Sequence, residues 1–375
     1  MHSLDIKSDE KNSLLLKEVF DCFQSDGVFL KGYSIGSGHI HDTFLVETAD
    51  VKTDNYILQR LNNHVFKNIP QLQDNIERVT VHLRKKLLER PGSDLKRECL
   101  TLIPAKDGKS WIIDSTGDFW RMYIYIADHH SYNIVDSPDK AFEGGKAIGR
   151  FQAMLSDLGG EPLYETIPWF HNVEKRLETF YKKVEEDPVG RVKLVKREIM
   201  MVTERAVRMK IILQLGREGK IPIRITHNDT KFNNILLDEN NRVLCIIDLD
   251  TVMPGYVHYD FGDAIRTATN MAAEDEADLS GIKMDISLFR AYAEGYISEV
   301  KDILNDTEIE WLAFAPLLIT YTQALRFLTD YIDGDNYYKI HHEHHNIQRT
   351  RAQFQLLKSM EEQYPEMQRI IKELM

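Results

Sequence analysis

Leu72, Ile76, Val79, Leu83 and Leu87 recur at spacings of four, three, four and four, which gathers them on one face of a single helix ended by Pro91 and Gly92. A shorter amphipathic helix is predicted over Ser13 to Phe23. Around these helices, up to about Arg121, the rhythm is that of strands. FLKGYSIGSGHIHDTFLVET and NYILQRL carry β-branched and aromatic residues about a glycine pair, as two or three antiparallel strands do. CLTLIP, SWIIDS and DFWRMYIYI predict further strands.

From about Ala141 onward helical spacing dominates: Ile148, Phe151, Leu155 and Leu158, then Val195, Ile199 and Val202, then Phe354, Leu357 and Ile371. One stretch interrupts it. Between Ile223 and Asp250, the segments IRIT, NILLD and RVLCIIDLD read as short strands, with Asp238 to Asn241 turning between the last two. A β hairpin inside a helical region is where a site is expected. No internal repeat or low-complexity linker breaks the chain, and the acidic run Glu274 to Asp278 reads as a solvated loop without a role.

Composition narrows the functional classes. A chain of 375 residues is long enough for two or three globular units. Its 47 basic against 59 acidic side chains leave a formal charge of −12, which argues against a nucleic-acid partner. The three cysteines, Cys22, Cys99 and Cys245, form no CxxC pair, so neither a disulfide framework nor a zinc site is expected, and a cytoplasmic location fits. The N-terminal MHSLDIKSDEKN has no apolar core of a signal peptide. The most apolar stretch, Trp311 to Thr320, is far short of the roughly 20 residues of a membrane span, so no membrane partner is expected.

Candidate chemistry lies at the interruption. His227, Asp229 and Asn234 have the spacing H-x-D-x-x-x-x-N, and Asp248 follows on the second arm of the hairpin. Phosphoryl transfer requires this set: an aspartate to orient the acceptor hydroxyl and take its proton, and an asparagine and a second aspartate to hold Mg²⁺. The transferred group is highly charged in the transition state, so catalysis rests on positioning and on neutralising oxygens. Asp229 is the candidate base and acceptor-orienting residue, Asn234 and Asp248 the candidate metal ligands, and Asp250 a second carboxylate close by. Lys231 is placed to reach the transferred phosphate as a point charge.

The strings THNDTKFNNILLD, IIDLDTVMPG and YDFGDAIR resemble the aminoglycoside phosphotransferase and choline kinase superfamily. Further strings, among them GSGHIHDTFLV, RFLTDYIDGDNYY and EHHNIQRTR, resemble its amino-sugar kinases from about Gly32 to Arg351. The resemblance implies an α+β, bilobal, protein-kinase-like fold: a small β-rich lobe over residues 1–126 that covers the nucleotide, and a mainly helical lobe over residues 127–375. It also implies ATP as co-substrate with Mg²⁺, and transfer to the anomeric hydroxyl of an N-acetylhexosamine. Other kinase substrates, such as homoserine, choline or an aminoglycoside, remain alternatives, with Asp330, Asp333 and Asp335 available to a cation; so does a nucleotide-binding pseudokinase.

Within this frame Gly36, Ser37 and Gly38 read as a turn over the triphosphate, because glycine lets backbone approach closely. Gln59 stands where a kinase strand usually carries lysine, with Glu77 on the next helix as its acidic counterpart. Asp260 is expected to bond the catalytic-loop backbone. Asp263 and Arg266, on the expected first turn of a helix, pair with each other or face the acceptor. The resemblance places Arg326 and Tyr337 on the amino sugar; the alternative is a buried Arg326 paired with Asp330 and a core tyrosine at 337. His341, His342, His344 and His345 read as a solvated polar segment, not a metal site.

Overall fold

The structure, a computed structural model, describes residues 13–35 and 40–375. The chain forms two compact units, dividing after His129, a few residues beyond the boundary expected near Ile126. Gly36, Ser37 and Gly38 lie outside the described residues.

The first unit holds a five-stranded antiparallel sheet with the order β1-β2-β3-β5-β4. Its strands are β1 (Phe29–Ser34), β2 (Asp42–Thr48), β3 (Tyr56–Leu61), β4 (Ile112–Ile113) and β5 (Phe119–Ile124). A first helix α1 spans residues 13–20. Its Leu16, Val19 and Phe20 pack with Val46, Tyr56, Leu58, Trp120 and Met122 from the sheet in one buried cluster. Helix α2 (Ile69–Leu88) buries the predicted stripe of Leu72, Ile76, Val79, Leu83 and Leu87. The side chain of Asn68 caps it by accepting from the Gln71 amide. CLTLIP is not a full strand. It bonds β5 through Ile103 N–H to the Met122 carbonyl and an isolated bridge from Leu102 to Tyr123, and Pro104, lacking an N–H, ends the ladder.

The second unit is mainly helical: α3 (Pro138–Leu155), α4 (Val173–Glu186), α5 (Lys196–Arg205), α6 (Ile211–Arg217), α7 (Val257–Ala268), α8 (Ile286–Val300), α9 (Asp306–Glu310), α10 (Ala315–Asp333) and α11 (His345–Leu374). Leu317, Leu318, Tyr321, Ala324, Leu325 and Leu328 bury α10 at the centre of the core. The apolar run from Trp311 is therefore packed into the core as a 3-10 turn (Trp311–Phe314) and the first turns of α10. Among the described residues no helix is long and apolar enough to cross a membrane.

Two small ribbons interrupt the helices. Strands β7 (Ile235–Leu237) and β8 (Val243–Ile246) form the expected hairpin. The expected strand IRIT, observed as β6 (Arg224–Thr226), does not join that hairpin but pairs with β9 (Met253–Gly255), which alternation did not reveal because it is only Met-Pro-Gly.

Helices α3 and α8 approach through glycines. A Cβ on Gly145 would stand 2.1 Å from the Tyr292 carbonyl oxygen, and one on Gly295 2.0 Å from that of Phe142. Both distances are below any van der Waals contact, and the obstacle in each case is backbone, which cannot rotate aside. This approach brings Gln152 of α3 to the Tyr296 hydroxyl of α8 beneath the hairpin. We predict that Gly145→Leu, by forcing the helices apart, lowers stability by about 3 kcal/mol, read as a fall in the urea midpoint; an unchanged midpoint contradicts the packing account.

Candidate active site

The segment from Thr226 to Asn234 leaves β6 and enters β7, and its backbone is held from below by one buried carboxylate. Asp260, on α7 and fully buried, accepts from the His227 amide (Oδ2, 2.9 Å) and the Asn228 amide (Oδ1, 2.7 Å). Thr230 Oγ1 donates to the Asp260 carbonyl at 2.7 Å. The expected bond from Asp260 to the loop backbone is thus present. Gln152 Nε2 donates to the same carboxylate at 2.7 Å, and the Tyr296 hydroxyl donates to Gln152 Oε1. Burial pushes the Asp260 carboxyl up, while His227, the two backbone donors and Gln152 oppose that rise.

Two residues fix the top of the loop. Asn228 adopts a left-handed backbone at φ 65° and donates its side-chain amide to the Thr226 and Thr251 carbonyls. His227 Nε2 donates to the Ile247 carbonyl at 2.9 Å, while Nδ1 accepts from the Asp229 amide at 3.3 Å. A carbonyl only accepts and an amide N–H only donates, so these bonds place the ring proton on Nε2. One imidazole thereby ties the backbone of Asp229 to the strand end that carries Asp248.

The hairpin register unites the remaining candidates. Ile235 pairs with Ile246, and the Ile247 amide donates to the Asn234 carbonyl at 2.9 Å, so Asn234 and Asp248 flank one end of the ribbon. Asp248 has φ 61° and ψ 55°, a left-handed conformation that turns the chain sharply into the short 3-10 turn Leu249–Thr251. Asn234 Nδ2 donates to the Asp229 carbonyl at 2.9 Å, which turns its amide oxygen the other way.

The charges are arranged unevenly. Lys231 Nζ lies 3.0 Å from Asp229 Oδ1, and the carboxylate raises the ammonium's pKa. Burial pushes Asp229 up but is outweighed by Lys231, which holds its carboxyl below the usual range. Desolvation first, and then the neighbouring Asp250 and Asp229 carboxylates, push Asp248 well above the usual carboxylate range, with Lys231 opposing the rise. Asp248 thus sits against two further carboxylates, and Lys231 is a cation that opposes their effect. Hard oxygen donors on Asn234 and Asp248, with surplus negative charge, fit a divalent cation of the Mg²⁺ type. Among the described residues no group of three or more histidine, cysteine, aspartate or glutamate side chains could hold a metal alone, so phosphate and water would complete its shell.

Arg326, on α10, lies 4.9 Å above the Phe170 ring, 5.6 Å from that of Tyr338 and 6.0 Å from that of Tyr337. Asp229 is within electrostatic reach of it. Arg326 is not paired with Asp330, which instead accepts from the amides of Tyr337 (2.8 Å) and Tyr338 (3.0 Å) and from Asn346. Nor is Tyr337 in the core: it is 58% exposed. Asp333 and Asp335, considered for a cation, are engaged by Lys183 at 2.8 Å and Arg191 at 2.6 Å.

Other expectations are revised. Asp263 and Arg266 do pair, at 2.8 Å, but they lie in the middle and last turn of α7, which begins at Val257. Glu274 is not idle, since it binds the buried Arg266 at 2.6 Å. His345 is buried and bonded to Asp275, unlike the exposed His341, His342 and His344. In the first unit, Gln59 accepts from Arg121 Nε at 2.9 Å and donates to Thr43, while Glu77 lies on the exposed face of α2. Sequence reasoning missed Gln152 and Tyr296, for which no local pattern gives a signal.

An α+β fold with a small antiparallel sheet, a larger helical region and a polar loop feeding a hairpin between two aspartates defines a kinase-like phosphotransferase. The chain belongs to the phosphotransferase enzyme family (APH), whose model matches residues 33–297. It is similar in fold to a microcompartment-associated aminopropanol kinase (TM-score 0.57, 15% identity, 94% of this chain and 98% of that one). It also resembles an ethanolamine kinase of Plasmodium vivax (0.55, 13%, 86% and 82%) and a spectinomycin phosphotransferase solved with ADP and spectinomycin (0.55, 11%, 94% and 98%).

Gln152→Leu removes a donor to an ionised, buried carboxylate, so the loss appears where Asp260 is charged. We predict destabilisation of about 2 kcal/mol near pH 8 that shrinks as the pH falls and Asp260 takes up its proton, measured by urea unfolding at several pH values; a pH-independent loss contradicts it.

Proposed function

We propose that the chain is an N-acetylhexosamine 1-kinase, transferring the γ-phosphoryl group of ATP to the anomeric hydroxyl of N-acetylglucosamine or N-acetylgalactosamine. The observation that carries this reading is the Arg326 guanidinium, within electrostatic reach of Asp229 and 6.0 Å from the Tyr337 ring. A guanidinium donates to an acetamide carbonyl or ring hydroxyls, and a half-exposed phenol stacks on a sugar face. The extended likeness to amino-sugar kinases in RFLTDYIDGDNYY supports it, as does the spectinomycin phosphotransferase of similar fold, which binds ADP.

In this reading Asp229 accepts a hydrogen bond from the anomeric hydroxyl and receives its proton as the C1 oxygen bonds to the γ-phosphorus. The bond from that phosphorus to the β–γ bridging oxygen breaks, and ADP leaves. A carboxylate held low by Lys231 is a weak base, which suffices because a hemiacetal hydroxyl is more acidic than an ordinary alcohol. Lys231 stands beside the acceptor as a positive charge for the transferred group. Asn234 and Asp248 would hold Mg²⁺, which supplies charge neutralisation on phosphate oxygens. Gly36, Ser37, Gly38 and Gln59 are assigned to the nucleotide, and a cytoplasmic location accords with the reduced cysteines.

A cationic acceptor such as choline or ethanolamine is the second reading. Asp333 and Asp335 do not favour it, because each is already engaged by a basic side chain.

The test is coupled ADP release with Mg-ATP against N-acetylhexosamines, hexoses, homoserine, choline, ethanolamine and kanamycin. N-acetylhexosamines are expected to be turned over best; turnover confined to another alcohol refutes the assignment. Asp229→Asn is expected to lower kcat on the accepted sugar by about 100-fold or more with little change in KM, and near-normal kcat removes the base from the account.

A further inference from the structure

Arg176 and Arg326 meet at one residue. Arg176 on α4 donates from Nε and Nη2 to the Phe170 carbonyl, at 3.2 and 2.9 Å, while the Arg326 guanidinium lies 4.9 Å above the Phe170 ring. Among the described residues neither makes a salt bridge to a carboxylate. Arg326 donates to Gln323 Oε1 at 3.2 Å, is hydrogen-bonded with Tyr337, and is ringed by Phe170, Tyr337 and Tyr338. Phe170 leads directly into His171, whose Nε2 donates to the Asn228 carbonyl at 2.9 Å, one residue before Asp229. The two arginines are therefore anchored next to the catalytic loop.

We propose that Arg176 and Arg326 form a subsite that sorts acceptors by charge, admitting neutral and anionic hydroxyl compounds and rejecting cationic ones. The inference rests on the kinase reading above and extends it by adding Arg176, which does not itself need to touch the acceptor, as a positioning and field-setting residue.

Three observations support it. Two neighbouring cations that make no salt bridge among the described residues repel each other: burial and Arg326 together bring the Arg176 guanidinium down to about 10. The groups that face the pair act unequally: burial at Arg326 is outweighed by Tyr338, Tyr337 and Asp229, which raise it, whereas at Arg176 the two phenols oppose burial and Arg326 without overcoming them. Tyr337 and Tyr338 are phenols, and His171 is depressed to about 3 by burial. Asp229, which reaches Arg326, is already engaged by Lys231. The nearby acids are used elsewhere: Asp330 on backbone amides, Asp333 on Lys183 and Asp335 on Arg191. In a chain of net charge −12, a local positive field with unused guanidinium donors has a purpose if the ligand brings the acceptors. An acetamide carbonyl or a carboxylate does so, whereas an ammonium group meets repulsion.

Glucosamine and N-acetylglucosamine test this within one scaffold, because only glucosamine carries an amine that is cationic at about pH 6.5 and largely neutral at about pH 9. For the wild type, kcat/KM for N-acetylglucosamine should exceed that for glucosamine by about tenfold or more at the lower pH, and the ratio should fall as the amine deprotonates. In Arg176→Met the ratio at the lower pH should drop about tenfold and lose most of its pH dependence, while Arg176→Lys, which keeps the charge, should restore it. A wild-type ratio that does not vary with pH overturns the proposal even if Arg176→Met does not fold, and so does an Arg176→Met ratio equal to that of the wild type. If the wild type phosphorylates no sugar, the proposed function fails, and the alcohol it does accept decides the subsite: a neutral or anionic one sustains it, and ethanolamine or choline overturns it.

Discussion

A single carboxylate, Asp260, accepting two consecutive backbone amides of the loop before β7, is the constraint on which the second unit's chemistry depends. Those bonds fix the path of the chain through His227 and Asn228, and the left-handed turn at Asn228 follows directly before Asp229. The carboxylate is fully buried, so it persists as an acceptor only because donors surround it. Gln152 supplies one, and the glycine-mediated approach of α3 to α8 makes that possible by letting Tyr296 orient the glutamine. Helix packing, a side-chain relay and loop geometry thus form one continuous chain of cause.

Charge is distributed to match. On one side of the loop Asp229 and Asp250 raise Asp248 while Lys231 holds Asp229 low, a concentration of carboxylate oxygen suited to a divalent cation. On the other side, toward α4 and α10, two arginines meet at Phe170 without a salt bridge among the described residues. Asp229 lies within reach of both environments, the position a group must occupy if it takes a proton from one partner while phosphate is held by another.

Much of this was legible in the chain. The H-x-D-x-x-x-x-N spacing and the hairpin behind it are local, and local spacing survives folding; the α2 stripe is legible for the same reason. What was missed depends on contacts between distant segments. Strand β9 is three residues without alternation, and its partner β6 lies far back in the chain. Gln152 and Tyr296 are ordinary residues on helical faces, given meaning only by the closeness of their helices. Glu274 and His345 read as solvated because each sits in a run of like residues, yet each is drawn to one partner from another element, Arg266 and Asp275. Arg326 and Tyr337 were singled out through likeness to sugar kinases alone, since a guanidinium in a helix has no spacing that distinguishes it from a surface or ion-paired group.

The most direct measurement of the central claim is the position of the transferred phosphate. With N-acetylglucosamine labelled with ¹³C at C1, Mg-ATP and the purified protein, ³¹P and ¹³C spectra should show phosphorus coupled to the labelled carbon, as an ester on the anomeric oxygen requires. Phosphorus attached to any other oxygen of the sugar, or ATP left unconsumed while another alcohol is phosphorylated, would contradict it.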